Sequence, residues 1–443
     1  MKRIAVIGGG WAGIAAAVYL IQKGFSVSLF EAGKNLGGRA KTLPQLKESR
    51  APVWSLDNGQ HLLLGAYWQT FQLMKIIKSA PEKVLYELPL QLETPHLLFE
   101  YQAPFWHSFL PTILVKPWQN LQFFKQAKGF NAVEKQNALH WLLHLKKNNA
   151  PDISVDEWLK NYFSEESLFL HEFLKPLCIA ALNTPTHRAS AAIFHQVLCD
   201  SLLSYSPKAL RFWIARKGLS QVVPEPAKSY LAQKGAQLFF STRIFKIEQT
   251  PAQTWILHYK NGPMHVDFDS IVLAMPADAT YQLLKTTQLE HLINPTNFEP
   301  VATLYVTFER SVRLKGLHYL NWPFPAFVIP QDENGVAIVL SASGKWQIAW
   351  KKSTETLTLQ FKRSLEKRQN APLGNILFSK ALCIQKAAWR AAPNLKRKSA
   401  GRTSTPGIYL AGDHTILHYP STLESAVLSG KIAAEHIAED FPR

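Results

Sequence analysis

An α/β fold, opened by a parallel βαβ unit and completed by a mixed α+β region, is predicted by three observations. Apolar Ile4–Ile7 runs straight into Gly8-Gly9-Gly10-Trp11-Ala12-Gly13, a G-x-G-x-x-G spacing. A helical stretch follows, and a second apolar run, Val27–Phe30, ends on the acid Glu31. Near the other terminus, Pro406–Asp413 reads as a short strand closing on Gly-Asp, and Tyr419–Gly430 reads as a helix.

Each element of the first unit has a mechanical reason. Gly8 lets the chain turn sharply, Gly10 lets backbone N–H groups approach a pyrophosphate, and Gly13 lets the helix pack on the strand. The helix N-terminus adds partial positive charge beside the phosphates. Glu31 stands where a carboxylate accepts from ribose hydroxyls, with Ala12 and Ala32 flanking the same path. Strand, glycines, helix, strand and acid in this order make a Rossmann-like dinucleotide site.

The next loop selects the dinucleotide. Gly37-Gly38-Arg39-Ala40 is a second tight turn, which a nicotinamide enzyme does not need. It suits FAD, whose pyrophosphate and ribityl chain extend past a second loop, with Arg39 adding a charge-assisted contact. The C-terminal strand then places Gly412 and Asp413 toward the ribityl chain or the pyrophosphate. Thr422 and Leu423 start a helix whose N–H groups face the flavin's pyrimidine edge. Gly38, Ala40, Gly59, Gln60 and Ile244 complete the expected cofactor contacts. No His or Cys is clearly placed for a covalent link, so non-covalent FAD is expected. No metal site is expected.

These motifs resemble the flavoprotein superfamily of amine oxidases and phytoene desaturases. Within it, narrower segments resemble the hydroxysqualene dehydroxylase family, also called squalene-associated FAD-dependent desaturases. They are DNGQHLLLGAY (57–67), KPLCIAALNTP (175–185), GLSQ with PEP (218–226) and PSTLESA (420–426). One departure is His414 after Gly-Asp, where such a chain is expected to carry tryptophan. The resemblance implies a glutathione-reductase/amine-oxidase type of FAD domain assembled from separated pieces. These are 1–80, 211–284 and 393–443, with a substrate domain from 81–210 and 285–392. In the middle FAD piece a helix is expected from Gly218 to Ala232. Strands are expected over Ala236–Phe240, Ile244–Glu248, Trp255–Tyr259, Val266–Phe268 and Ser270–Pro276.

The resemblance also implies a reaction: reductive removal of the hydroxyl of hydroxysqualene to give squalene, in bacterial hopanoid synthesis. An allylic hydroxyl leaves as water only if protonated, and the site must also exclude water. Asp57, His61 and Glu424 are the candidates for the acid. Tyr67 is read as cavity wall, and His414 and His418 as packing near the ribityl chain. With no second G-x-G-x-x-G unit, electrons are expected from an external donor. The alternatives are a carotenoid-type desaturase, which runs electrons the other way, and a flavin amine oxidase.

Composition bounds the rest. At 443 residues and 47% hydrophobic, the chain is long enough for two or three cores. Its formal charge of +17 comes from scattered Lys and Arg with no nucleic-acid module, so nucleic acid is not an expected partner. An anionic membrane surface attracts the same charge and holds an apolar isoprenoid substrate. The aromatic, proline-rich Phe99–Trp118 reads as core or as a tunnel mouth at that surface. Three scattered cysteines and glycines interrupting the N-terminal apolar run argue against a disulfide framework and a signal peptide. A cytoplasmic protein, peripheral to the inner membrane face, is expected.

Overall fold

The computed structural model describes residues 1–443 except 45–54, 90, 101–125, 146–148, 203–208, 210, 265, 295, 322–323, 343–352 and 443. Most of the aromatic segment at 101–118 therefore lies outside the described residues.

The α/β class expected from the sequence is the one found. Its first layer is a six-stranded sheet in the order Gly401–Arg402, Ile408–Leu410, Ser270–Leu273, Arg3–Ile7, Ser26–Phe30, Gln237–Phe239. All neighbours pair in parallel except the antiparallel edge strand Gly401–Arg402. Val6 stands between Leu29 and Val272, and Ile4, Val6, Leu29 and Val272 are all inaccessible. Unbroken apolar runs are what a sheet covered on both faces requires.

The helix Trp11–Gln22 covers one face and is itself buried along Trp11–Val18. Against it lies the C-terminal helix Leu423–Asp440, which opens on a capping box between Thr422 and Ser425. A Cβ on Gly430 would stand 2.1 Å from the Ala12 carbonyl oxygen, so the two helices touch backbone to backbone there.

The second layer is a seven-stranded, mostly antiparallel sheet. Its order is Ile376–Trp389, Phe298–Phe308, Gly335–Ser341, Ala326–Pro330, Leu317–Leu320, Gln91–Glu93, Leu98–Glu100. It carries a helical lobe whose core gathers Trp141, Trp158, Phe163, Phe169 and Phe173. Trp141 is thus a core residue, stacked edge-on to Phe163 at 5.5 Å. Asn183, in the KPLCIAALNTP segment, ties lobe to sheet. Its side chain donates to the Glu299 carbonyl at 3.3 Å and accepts from Ala342 N at 2.8 Å.

Three local expectations change. The helix expected over 218–232 is split into a 3₁₀ turn, Leu219–Gln221, and a helix, Pro224–Gln233. Pro224 has no N–H and fits only a first helical turn, so the helix restarts there. The strand expected at 244–248 is Lys246–Gln249, and Ile244 lies before it. Val266–Phe268 forms no strand, although Phe268 exchanges backbone bonds with Trp255 at 2.7 and 2.8 Å.

Candidate active site

A cavity of about 620 Å³ follows the C-terminal ends of the parallel strands. This is the crevice where open α/β sheets hold ligands. Its walls include Gly8, Gly10, Ala12, Glu31, Ala32, Gly38, Arg39, Ala40, Ile244, Gly412, Asp413, Thr422 and Leu423. These thirteen cofactor candidates, drawn from four separated segments, converge on one space. Gly13, Gly59 and Gln60 do not line it. Gly13 packs behind the turn, where its Cβ would fall 1.8 Å from the Gly8 carbonyl oxygen. Gly59 and Gln60 lean on the second sheet, Gln60 N donating to Thr303 Oγ1 at 3.2 Å.

The turn itself is held by backbone. Gly37 N donates to the Gly9 carbonyl at 2.8 Å, which brings the two glycine loops together. No side chain caps the helix Trp11–Gln22, and its first turn holds no acid. Its N–H groups are left for a ligand. A Cβ on Gly10 would meet only Gly38 Cα, at 3.9 Å, so the protein itself would tolerate a side chain there. The missing Cβ leaves space for something outside the chain. Glu31 accepts from Gly9 N at 2.8 Å and Gly33 N at 2.6 Å, fixing the carboxylate across the turn.

At the other end, Arg39 Nη2 donates to Asp413 Oδ1 at 2.6 Å, and Arg39 Nη1 to the Ala387 carbonyl at 2.7 Å. Ser421 also donates to Asp413. Burial works against the Asp413 charge, but Arg39, His414 and Ser421 outweigh it and hold its carboxyl well below the usual range. Behind it, Trp389 Nε1 donates to the Asp413 carbonyl at 3.1 Å, and the Arg397 guanidinium stacks 3.8 Å over the Trp389 ring. His414 replaces the expected tryptophan as packing. Its buried ring fills the place a Gly412 Cβ would take, at 2.5 Å, which is why glycine precedes Asp413. His414 is not on the cavity wall, and His418 is exposed, turned out from the loop.

The three acid candidates are placed very differently. Asp57 is buried away from the cavity, and its Oδ1 accepts from Thr42 Oγ1 and Leu219 N, both at 2.9 Å. Burial pushes its carboxyl up to about 6, against those two bonds. It joins the 42, 57 and 219 segments, which accounts for GLSQ and DNGQH as a linked pair of motifs. Glu424 accepts from Gln69 N at 2.7 Å, Thr70 N at 2.9 Å and Thr70 Oγ1 at 2.8 Å. It therefore caps the helix Trp68–Ile76 from outside and is not on the cavity wall.

His61 does line the cavity. Its Nδ1 lies 2.8 Å from the Gly59 carbonyl, which only accepts, so the proton sits on Nδ1. Burial, with Arg39 nearby, lowers its pKa against the Gly59 contact, so the ring is neutral with a bare Nε2. A neutral ring of this tautomer accepts protons at Nε2 and does not donate them there. Sequence reasoning also missed Trp11, Arg243, Ala387 and Ser421 on the wall. Ser421 adjoined a motif, whereas Ala387 lay in a strand with no local signature.

A family model described as flavin containing amine oxidoreductase matches residues 11–438. The chain belongs to that family. As a member of the flavin-containing amine oxidoreductases it is an FAD-dependent oxidoreductase, and FAD fits the side-chain-free cradle at Gly10. A relative named hydroxysqualene dehydroxylase, from Sinorhizobium fredii, is 24% identical over 98% of both chains. Another of that name, from Rhodopseudomonas palustris, is 25% identical over 98% of both. A 15-cis-phytoene desaturase of Glycine max is 22% identical over 99% of this chain and 79% of its own. The solved structure of cyclohexylamine oxidase from Brevibacterium oxydans superposes with a TM-score of 0.68 at 15% identity, covering both chains completely.

Proposed function

We propose that this flavoprotein acts on a long apolar isoprenoid, reductively dehydroxylating hydroxysqualene to squalene in hopanoid synthesis. The carrying observation is that relatives named for this reaction match from end to end, at 97–98% of both chains. When bound, reduced FAD supplies hydride to carbon. The chain's own residues do the rest. The first helix N-terminus and Gly10 bind the pyrophosphate, Glu31 the ribose, and the Arg39–Asp413 pair the ribityl region. Thr422 and Leu423 offer N–H groups at the flavin edge.

Loss of an allylic hydroxyl leaves a delocalised cation, which aromatic faces stabilise. The bare Nε2 of His61 orients the leaving water as an acceptor. Electrons come from an external donor. Anaerobic mixing of reduced enzyme with hydroxysqualene, followed by gas chromatography, tests the reading: squalene is expected. The phytoene desaturase relatives favour a second reading. It wins if oxidised enzyme is reduced by squalene or a polyene.

The substrate dissolves in membranes, and a charge of +17 would bind an anionic inner-leaflet surface from the cytoplasm. No helix among the described residues is long and apolar enough to cross one. Binding to anionic vesicles should exceed binding to neutral ones and fall with salt. Equal binding to both removes the electrostatic part of this proposal.

A further inference from the structure

From Asp413, on the cavity wall, contacts run outward to the surface through one buried indole. Trp389, inaccessible to solvent, donates from Nε1 to the Asp413 carbonyl at 3.1 Å. The Arg397 guanidinium lies over the same ring, 3.8 Å from its centroid. Arg397 is pinned there by the carbonyls of His414, at 3.3 Å, and Leu417. Its sequence neighbours Lys396 and Lys398 are exposed, and neither has an ion pair among the described residues. Leu417 and His418 are exposed beside them. The next cations along the chain are already committed, Arg390 to Glu299 at 2.5 Å and Arg402 to Glu439 and Asp440 at 2.7 and 2.8 Å. Asp152, the acid tied to this loop, accepts from Asn394 N at 2.7 Å and offsets one charge of the run.

We propose that the surface over Trp389, carried by Lys396, Arg397 and Lys398, docks an acidic one-electron carrier protein that reduces the bound FAD. This rests on the dehydroxylation reading, which consumes reduced FAD and so requires an outside donor. Two carrier molecules are each oxidised by one electron. The two electrons, with two protons from solvent, convert oxidised FAD to its reduced form. No bond of the substrate forms or breaks in this half of the cycle.

Position separates this basic run from an ordinary solvated face. A hydride donor must touch the flavin ring itself, whereas an electron crosses a buried indole, so the contact chain from Arg397 to Asp413 suits a one-electron carrier. Unpaired lysine heads steer an acidic partner into place, and electron-transfer complexes work through small interfaces, under about 1,200 Å². Burial lowers the Arg397 guanidinium to about 10, with Asp413 opposing, so it stays charged at neutral pH and adds to the field of the two lysines. An anionic membrane attracts the same charges, but a lipid headgroup gains nothing from lying over the ribityl end of the cavity. Lys396 and Lys398 recruit the donor and touch neither substrate nor cofactor.

The probe is an acidic plant-type ferredoxin, reduced, mixed anaerobically with oxidised holoenzyme and followed at the flavin absorbance without substrate. Native enzyme should be reduced at a rate that falls steeply with salt. Lys396→Glu combined with Lys398→Glu should slow that reduction roughly tenfold or more at low salt and flatten its salt dependence. The calorimetric affinity of the holoenzyme for oxidised ferredoxin should fall in parallel. FAD occupancy, the extent of reduction by dithionite and reoxidation by hydroxysqualene should stay native. Native ferredoxin rate and affinity in the double variant, or no reduction of native enzyme by ferredoxin, overturns the docking site. So does a variant that loses binding to anionic vesicles and keeps its ferredoxin rate, which makes the face a membrane contact. Should the double variant lose FAD, Lys396→Gln with Lys398→Gln decides on the same measurements. The dehydroxylation reading fails separately, if dithionite-reduced enzyme forms no squalene from hydroxysqualene.

Discussion

Around the glycine turn the cavity wall is bare backbone, whereas at Asp413 it is an ion pair with Arg39, drawn from distant parts of the chain. The first region works by what is missing. At Gly10 no Cβ stands in the way, and the N–H groups of Trp11–Gln22 have no capping side chain. The second works by what is crowded in: Arg39 and Ser421 both donate to the Asp413 carboxylate, and Trp389 Nε1 donates to its carbonyl. A pyrophosphate needs fixed dipoles that cost nothing to reorganise, and a polyol chain needs charged groups held in place by their own partners. One cavity needs both kinds of wall.

A side chain put into the bare region should do the most damage. Gly10→Val should fold, because its Cβ meets only Gly38 Cα at 3.9 Å, and should abolish FAD binding. Gly13→Ala should do the opposite in kind: its Cβ overlaps the Gly8 carbonyl at 1.8 Å, so stability falls by about 3 kcal/mol or more. Flavin absorbance and circular dichroism, measured on both, separate the two effects. A yellow, fully occupied Gly10→Val protein would remove the pyrophosphate from this turn.

Asp413→Asn is the next largest. It leaves Arg39 facing a neutral amide and should cost about 2–3 kcal/mol, below the value for a fully buried pair because Arg39 keeps some exposure. The folded carboxyl is held low, so its stabilisation is complete above the unfolded value near 4. It is lost only as pH falls through the lower folded value. Native protein should thus hold its fold and flavin undiminished by this pair from about pH 5 upward, while the variant is weaker across that whole range. Thermal melts from pH 4 to 8 check both statements.

Asp57→Asn reverses the sign. Its folded carboxyl titrates near 6, above the unfolded value, so its contribution is greatest in acid and is lost as pH rises through 6. Asparagine keeps the oxygen that accepts from Thr42 and Leu219 and removes the buried charge. The variant should therefore be more stable than native protein at pH 8, by up to roughly 2 kcal/mol, and no more stable at pH 4. Dehydroxylation should be little changed. A large loss of rate with native FAD content would return Asp57 to the role of acid.

The two regions were unequally legible in the sequence. The cradle was readable because its demands are local: a glycine at each close approach, an acid at a strand end, and a Gly-Asp pair before a helix. Ala387 was not, since an alanine inside a strand looks like any other until the fold sets its carbonyl against Arg39. Glu424 shows the same limit from the other side. On a first helical turn it read as a group near the flavin, yet tertiary packing gives it the N–H groups of the Trp68–Ile76 helix. The His414 departure was visible, but its reason, a ring packed on Gly412, needed coordinates.

The smallest effect tests whether the acid at the end of the Ser26–Phe30 strand serves the ligand or the loop. Glu31 spends both carboxylate oxygens on Gly9 N and Gly33 N, so it already shapes the turn before any ribose arrives. Glu31→Gln keeps one oxygen and replaces the other by an NH₂ that clashes electrostatically with one of those donors. The expected result is a rise in the FAD dissociation constant of about tenfold, near 1.4 kcal/mol, with the fold intact. Glu31→Ala should cost more, because both N–H groups then lose their partner and the ribose hydroxyls lose an acceptor. If glutamine weakened FAD as strongly as alanine, the charge itself, acting on the ribose, would be the dominant contribution. If neither changed the affinity, the acid at the strand end would be a brace for the turn alone, and the bare backbone around Gly10 would carry the binding by itself.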